Sequence, residues 1–97
     1  MATYVMLANF TEQGIRNVKD SVKRAEAFKE LAQKSGVTVK DLCWTLGRYD
    51  IVCIVDAADE MAITALGLTL GKSGNVRTQT LRAFSAKEMT QILGKVS

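Results

Sequence analysis

The sequence contains no histidine and no proline. Without histidine, the chain lacks the commonest general base and the commonest metal ligand in proteins. It has only two cysteines, Cys43 and Cys53, which are too few for a disulfide scaffold or a zinc site. We therefore expect no metal and no cofactor. Haem chemistry is disfavoured because its usual histidine ligand is missing.

Long apolar runs are also absent, since no stretch approaches the roughly 18 residues of a membrane span. The first residues lack the basic region and cleavage site of a signal peptide. We therefore expect a cytoplasmic protein that does not enter a membrane. The net charge is only +3, and the charges are dispersed along the chain, so nucleic-acid binding is not predicted either.

The 97 residues, 47% of them hydrophobic, are typical of one globular domain spanning positions 1–97. Four β-prone segments are predicted as strands: Thr3–Phe10, Val37–Leu46, Asp50–Asp56 and Val76–Phe84. Two helices are predicted, one from Asp20 or Ser21 to Ser35 and one over Ala58–Lys72. Ser85 and Glu88 form a capping box that opens a last short helix.

The resulting order, β-α-β-β-α-β with an extra C-terminal helix, is the ferredoxin-like arrangement of an α+β fold. Right-handed crossovers place both long helices on one face of a four-stranded antiparallel sheet. The last strand is the most polar, which favours a position at the sheet edge. In the second helix, the predicted inner stripe consists of Met61, Ala62, Ala65, Leu66 and Thr69. Because Ile63, Leu68 and Leu70 lie off that stripe, this helix suggests contacts beyond one dimer.

The two central strands are apolar on both faces. A hairpin turn of two or four residues sets Leu46 opposite Ile51, Trp44 opposite Cys53 and Leu42 opposite Val55. The two cysteines then lie on opposite faces and form no disulfide. Two helices cover only one face, so the other is left as an apolar interaction surface. Burial of ~600 Å² of it per chain contributes ~15 kcal/mol before association costs, and the simplest partner is a second copy.

Several segments resemble the GYD-domain family. Gly47-Arg48-Tyr49-Asp50, followed by Ile-Val-Cys-Ile-Val-Asp, is similar to the Gly-x-Tyr-Asp motif for which the family is named. The opening Thr-Tyr-Val-Met-Leu-Ala-Asn-Phe and the stretch from Gly74 to Phe84 are similar to it as well. The resemblance implies membership of the dimeric α+β barrel superfamily, whose members include cofactor-free monooxygenases, isomerases and ligand-binding domains. It selects no activity among them.

Asp50 is a weak candidate for an acid or base, although an aspartate at a hairpin end also commonly accepts backbone hydrogen bonds. Arg77 and Arg82, with Asn75, are candidates for an anion site. The alternative is an ion pair, for which Asp50 or Asp20 are the predicted acids. Aromatic residues, Trp44 and Tyr49 among them, line a pocket or belong to the core.

Two functions remain open from the sequence. The first is a small ligand-binding or assembly domain for an anionic or aromatic molecule, working as a homodimer or a higher oligomer. Its predicted ligand-binding residues are Trp44, Tyr49, Asp50, Asn75, Arg77 and Arg82. The second is a cofactor-independent enzyme of the monooxygenase or isomerase kind.

Overall fold

A computed structural model describes all 97 residues. Four strands form the sheet: β1 (Ala2–Phe10), β2 (Thr38–Trp44), β3 (Ile51–Ala57) and β4 (Val76–Ala83). Four helices accompany them: α1 (Glu12–Arg16), α2 (Ser21–Lys34), α3 (Glu60–Ser73) and α4 (Ala86–Leu93). A 3-10 turn, Val18–Asp20, leads into α2. The four strands and the helices α2, α3 and α4 are those predicted, in the predicted order, with ends that differ by a few residues.

The strands follow one another across the sheet in the order β2-β3-β1-β4, and all neighbours are antiparallel. This is the ferredoxin-like topology, so the predicted fold class is confirmed. The polar strand β4 lies at an edge, as its composition indicated. No helix is long and apolar enough to cross a membrane.

The predicted pairing of β2 with β3 is wrong by two residues. Leu42 lies opposite Cys53 and Trp44 lies opposite Ile51. The chain leaves the sheet earlier than predicted, so Leu46 sits fully exposed in the turn instead of in the strand.

Local hydrogen bonds explain the earlier turn. The Thr45 amide donates to the Asp50 carbonyl at 2.9 Å, and the Thr45 hydroxyl donates to the Tyr49 carbonyl at 2.6 Å. Gly47 has φ of 103°, a conformation that glycine adopts without strain. Because the slip is by an even number of residues, Leu42, Cys43 and Trp44 keep their predicted faces. Cys43 is exposed and Cys53 is buried, and both are free thiols.

The core lies between the two long helices and one face of the sheet. Buried side chains of β1 and β3 pack there against residues of α2 and α3: Tyr4, Met6, Cys53, Val55, Ala57, Phe28, Ala32, Ile63 and Leu66. The inner stripe predicted for α3 is wrong in part, because Ile63 and Leu66 face the core whereas Met61 is 81% exposed. When a helix is apolar nearly all round, its sequence does not indicate which side faces the core. The packing of α3 against the sheet therefore determines its buried side.

The other side of the sheet, called here the open face, carries apolar side chains that no helix covers. They are Val5 and Leu7 of β1, Val52 and Ile54 of β3, and Leu81 of β4, which lie opposite one another in the ladder. The first four are half-buried by their neighbours, and Leu81 is 42% exposed. The C-terminal helix α4 contains no buried residue.

Candidate functional site: an apolar cavity with a cationic end

A cavity of about 310 Å³ lies between α2 and the helix-facing side of the sheet. Most of its lining is apolar and comes from α2 and the three strands β1, β2 and β3: Met6, Phe28, Leu31, Leu42, Trp44 and Cys53. The size and the apolar character match those of small-molecule sites in proteins. The cavity is therefore the strongest candidate for a binding site in this structure.

Small side chains keep the cavity open. Ala8, Ala25, Ala27 and Cys53 line it at positions where a leucine or valine would fill space. Protein interiors are normally packed with few voids larger than a water molecule. These small residues therefore leave a space on the helix side of the sheet that larger side chains would occupy.

The polar lining residues come from the first turn of α2 and from the junction of α3 with β4: Ser21, Arg24, Ser73, Asn75 and Thr78. Gly14 brings these two segments together. Its carbonyl accepts a hydrogen bond from Arg24 Nη2 at 3.4 Å. Its Cα packs so closely on the Asn75 backbone that a Cβ there would lie 1.9 Å from the Asn75 carbonyl oxygen. One end of the cavity is therefore polar and the rest is apolar.

Arg24 is the charged residue of the lining. Its side chain is half-buried and donates to the Asn17 carbonyl at 2.7 Å, to the Gly14 carbonyl at 3.4 Å and to the Ser21 hydroxyl at 3.4 Å. All three acceptors are neutral, and the ion pairs of the molecule involve other residues. The guanidinium is thus held in place without a counter-ion.

Cys53 is the other titratable residue of the lining. Burial raises the pKa of its thiol to about 11, so the thiol stays neutral near pH 7. No carboxylate lines the cavity. The cavity therefore offers a surface for binding and a fixed positive charge, and no group that exchanges protons near neutral pH.

Of the six predicted ligand-binding residues, Trp44 and Asn75 line the cavity. Asn75 is fixed from the side of α1, since its carbonyl accepts from the Thr11 amide at 3.1 Å and its Oδ1 accepts from Gln13 Nε2 at 3.1 Å. Trp44 is 43% exposed at the end of β2. The other four residues lie elsewhere.

Asp50 holds the β2–β3 turn against the end of β1. Its Oδ2 accepts from the Phe10 amide at 2.9 Å, and its own amide donates to the Ala8 carbonyl at 2.9 Å. This is the structural alternative considered for the residue. The arrangement leaves Asp50 outside the lining of the cavity.

Tyr49 and Arg77 lie toward the open face. The Tyr49 hydroxyl donates to Gln79 Oε1 at 2.7 Å. Gln79 and Arg77 are opposite Leu7 and Asn9 in the ladder and are both exposed. Arg77 has no acidic partner within ion-pair distance.

Arg82 lies at the opposite end of β4, opposite Tyr4 in the ladder. Its Nη2 donates to Glu88 Oε2 at 2.9 Å, and its guanidinium stacks 4.6 Å from the centre of the Phe84 ring. The prediction that Asp50 or Asp20 would pair with these arginines is wrong: Arg82 pairs with Glu88 of α4, Arg77 has no acidic partner, and Asp50 accepts from the Phe10 amide instead. The backbone amide of Ser85, together with Arg82, holds the pKa of Glu88 below its usual value. The arginines thus form no common anion site.

Arg24, Phe28 and Leu42 were not among the ligand-binding residues predicted from the sequence. The spacing of Arg24 from the apolar positions of α2 gave no sign that it would turn toward Gly14. The one available signal was the run of small residues Ala25 and Ala27 beside a phenylalanine. That signal has meaning only when the opposing strands are known.

The family model of the GYD domain matches residues 4–93. The chain belongs to the GYD-domain family. This GYD-domain protein is also 32% identical over 90 residues to a protein of Thermus thermophilus. The aligned region covers 92% of this chain and 95% of the relative. That relative is named glutamine synthetase and cystathionine beta-lyase binding protein. The resemblance drawn from the sequence is confirmed.

Proposed function

We propose that this GYD-domain protein is a small oligomeric binding protein that dimerises through its open face and binds other proteins in that form. The observation that carries the dimer is the apolar open face itself. Val5, Leu7, Val52 and Ile54 lie side by side on the two central strands, and nothing in the chain covers them. Large exposed apolar patches are typical of interaction sites.

A second copy fits this surface best. Two sheets packed face to face about a two-fold axis bury the same residues on each chain. The border of the open face is polar, with Asp41 exposed opposite Ile54, Arg77 exposed opposite Asn9, and the Tyr49–Gln79 hydrogen bond. An apolar centre with a polar rim is the usual anatomy of a protein interface.

The name of the Thermus thermophilus relative, a protein that binds two enzymes, supports protein partners for this chain. Sheet-to-sheet dimerisation leaves the outer side of α3 free. Met61 is 81% exposed there and Leu68 is 71% exposed. This second apolar surface serves partner enzymes or further copies of the chain. The cavity serves a small anionic or aromatic ligand.

The cofactor-independent enzyme is the weaker reading. The cavity has room for a substrate, but its titratable side chains are Arg24 and a neutral Cys53. Asp50, the candidate acid or base, is hydrogen-bonded to the β1 backbone instead.

Sedimentation velocity tests the dimer. The unmodified chain is expected to sediment as a dimer at micromolar concentration. Leu7→Glu places a charge in the centre of the interface and is expected to give a folded monomer. Val22→Glu is the matched control, since Val22 is 63% exposed on α2, on the helix side of the sheet. A monomeric unmodified chain would show that the open face does not pair.

Biolayer interferometry tests the protein partners. Purified glutamine synthetase and cystathionine beta-lyase from the same source as this chain are the analytes. Met61→Glu is expected to weaken binding, and Leu46→Glu, at a fully exposed turn position, is expected to leave it unchanged. Absence of binding to either enzyme at high micromolar concentration argues against the proposed partners.

A further inference from the structure

We infer that the cavity binds a small amphipathic carboxylic acid, with its carboxylate on Arg24 and its apolar body between Phe28 and Trp44. The inference rests on the proposed role of the cavity as a ligand site, and it adds the chemical class of the ligand. Its starting point is the division of the lining into one polar, cationic end and a larger apolar part.

The charge of Arg24 indicates an anion. The guanidinium has five N–H donors, three contacts to neutral oxygens, and no acid within ion-pair distance. The two backbone carbonyls that hold it carry partial negative charge but cannot neutralise it. Nη2 makes two of these contacts and Nη1 makes one, so the Nε hydrogen and one Nη1 hydrogen remain free. A carboxylate accepts a charge-assisted hydrogen bond from such a donor and neutralises the charge.

Further donors surround the same end. The side-chain amide nitrogen of Asn75 and the hydroxyl of Thr78 make no hydrogen bond within the chain, and both residues line the cavity. Gln13 donates to the Asn75 Oδ1, and the Asn75 NH₂ group has no acceptor within the chain. A ligand that accepts hydrogen bonds satisfies these donors, whereas a cationic ligand would be repelled by the charge of Arg24.

The apolar part of the lining determines the rest of the ligand. Phe28 and Trp44 provide aromatic surfaces, and Met6, Leu31 and Leu42 complete the lining. Inorganic phosphate would leave this surface in contact with water, and a neutral hydrocarbon would leave Arg24 unpaired. A ligand with one carboxylate and an aromatic or short aliphatic body matches both parts.

Trp44 is the only tryptophan of the chain and lines the cavity, so its fluorescence reports occupancy directly. The probes are cinnamate, indole-3-acetate and hexanoate, with cinnamamide and hexanamide as neutral counterparts and inorganic phosphate as a purely anionic one. We expect cinnamate and hexanoate to change the Trp44 emission and to bind roughly tenfold more tightly than their amides. Indole-3-acetate, which itself fluoresces, is followed by the rise in Tm. Phosphate is expected to have no effect.

Substitutions distinguish the contribution of the Arg24 charge to binding from the contribution of the cavity volume. Arg24→Gln is expected to make acid and amide bind equally weakly, and Arg24→Lys is expected to restore part of the difference because it keeps the charge but loses the planar fork. Ala25→Leu adds volume at a buried lining position and is expected to weaken the binding of both acid and amide. Arg16→Gln is the control, since Arg16 is exposed on α1 and bonds to the Glu12 carbonyl of its own helix.

Equal affinity for acids and amides, or an acid preference that persists in Arg24→Gln, overturns the inference. So does a Trp44 emission that depends on protein concentration and resists every probe, because a second copy then occupies the cavity. The dimer and the enzyme partners are measured separately by sedimentation and interferometry. If those succeed while the acids fail, the inference alone is wrong; if the oligomer also fails, the proposed function is wrong.

Discussion

At the scale of single residues, the polar end of the cavity is formed by contacts between segments that are far apart in the chain. Gly14 is the clearest case, since it lies against the Asn75 backbone 61 positions away and carries the carbonyl that holds Arg24. Asp50 plays a comparable part at the end of β1. Their effects on stability are therefore larger than their exposure suggests.

Gly14→Ala is expected to destabilise the chain by about 2 kcal/mol, because the new Cβ would lie 1.9 Å from the Asn75 carbonyl oxygen and the backbone must shift. Urea unfolding measures the change. Gly71→Ala is the control: a Cβ there meets nothing within 4 Å, and the replacement should stabilise α3 by about 0.5–1 kcal/mol. Equal effects of the two substitutions would contradict the close contact.

Asp50→Ala is expected to cost about 1–2 kcal/mol, because the Phe10 amide loses its 2.9 Å acceptor. Asp50→Asn keeps an oxygen at that position and should cost less than half as much. The comparison is made by urea unfolding. If both variants cost the same, the negative charge of Asp50 matters more than its hydrogen bond.

Cys53 makes stability depend on alkaline pH. Its pKa is about 11 in the folded chain and ordinarily 9.0. Because the folded thiol keeps its proton while the unfolded thiol loses it, the free energy of unfolding is expected to fall as pH rises from 9 to about 11. Urea unfolding at several pH values measures this slope. Cys53→Ala should reduce it, whereas Cys43→Ala, at an exposed thiol, should leave it unchanged.

At the scale of elements, α4 differs from α2 and α3 because it has no buried residue and is stabilised by hydrogen bonds at its N-terminus. Ser85 accepts from the Glu88 amide at 3.1 Å and Glu88 Oε1 accepts from the Ser85 amide at 3.0 Å, which completes the predicted capping box. The other carboxylate oxygen of Glu88 bonds to Arg82. One side chain thus starts the helix and joins it to β4.

The helix α4 is expected to loosen in acid. The folded pKa of Glu88 lies below its ordinary 4.5, so its contribution is fully present above pH 4.5 and is lost as pH falls through the lowered value. Cα chemical shifts of α4 should move toward coil values over that range. Glu88→Gln keeps a capping side chain without the titration and should abolish the shift. A midpoint above pH 4.5 would contradict the assignment.

At the scale of the whole molecule, the one-sided placement of the helices leaves half of the sheet surface for contacts outside the chain. The same placement puts the cavity and the open face on opposite sides of one sheet. The proposed dimer contact and the proposed ligand site therefore lie on opposite sides of the same strands.

A dimer makes thermal stability depend on concentration. The Tm of the unmodified chain is expected to rise by on the order of 3 °C for each tenfold increase in protein concentration, because association stabilises the folded state by mass action. Differential scanning fluorimetry over a hundredfold range measures this. The Leu7→Glu monomer should show a constant Tm, and Val22→Glu should follow the unmodified chain.

The amino-acid pattern was sufficient for the elements, their order, the edge position of β4 and the division of the strands between two faces. Period-two alternation, capping residues and the crossover rule are local or topological, and the sequence expresses them directly. The resemblance to the family rested on the same segments. It located the turn of Gly47 and Asp50 correctly but said nothing of what Asp50 contacts.

Only the tertiary structure decided the register of β2, the rotation of α3, the partner of Arg82 and the cavity beside Arg24. Each depends on distances between segments that are far apart in the chain or on a choice between nearly equal packings. Small residues such as Ala25 and Cys53 look the same in a sequence whether the space before them is filled or open. For that reason the pattern of residues along the chain determined how it folds, and packing determined where the cavity lies.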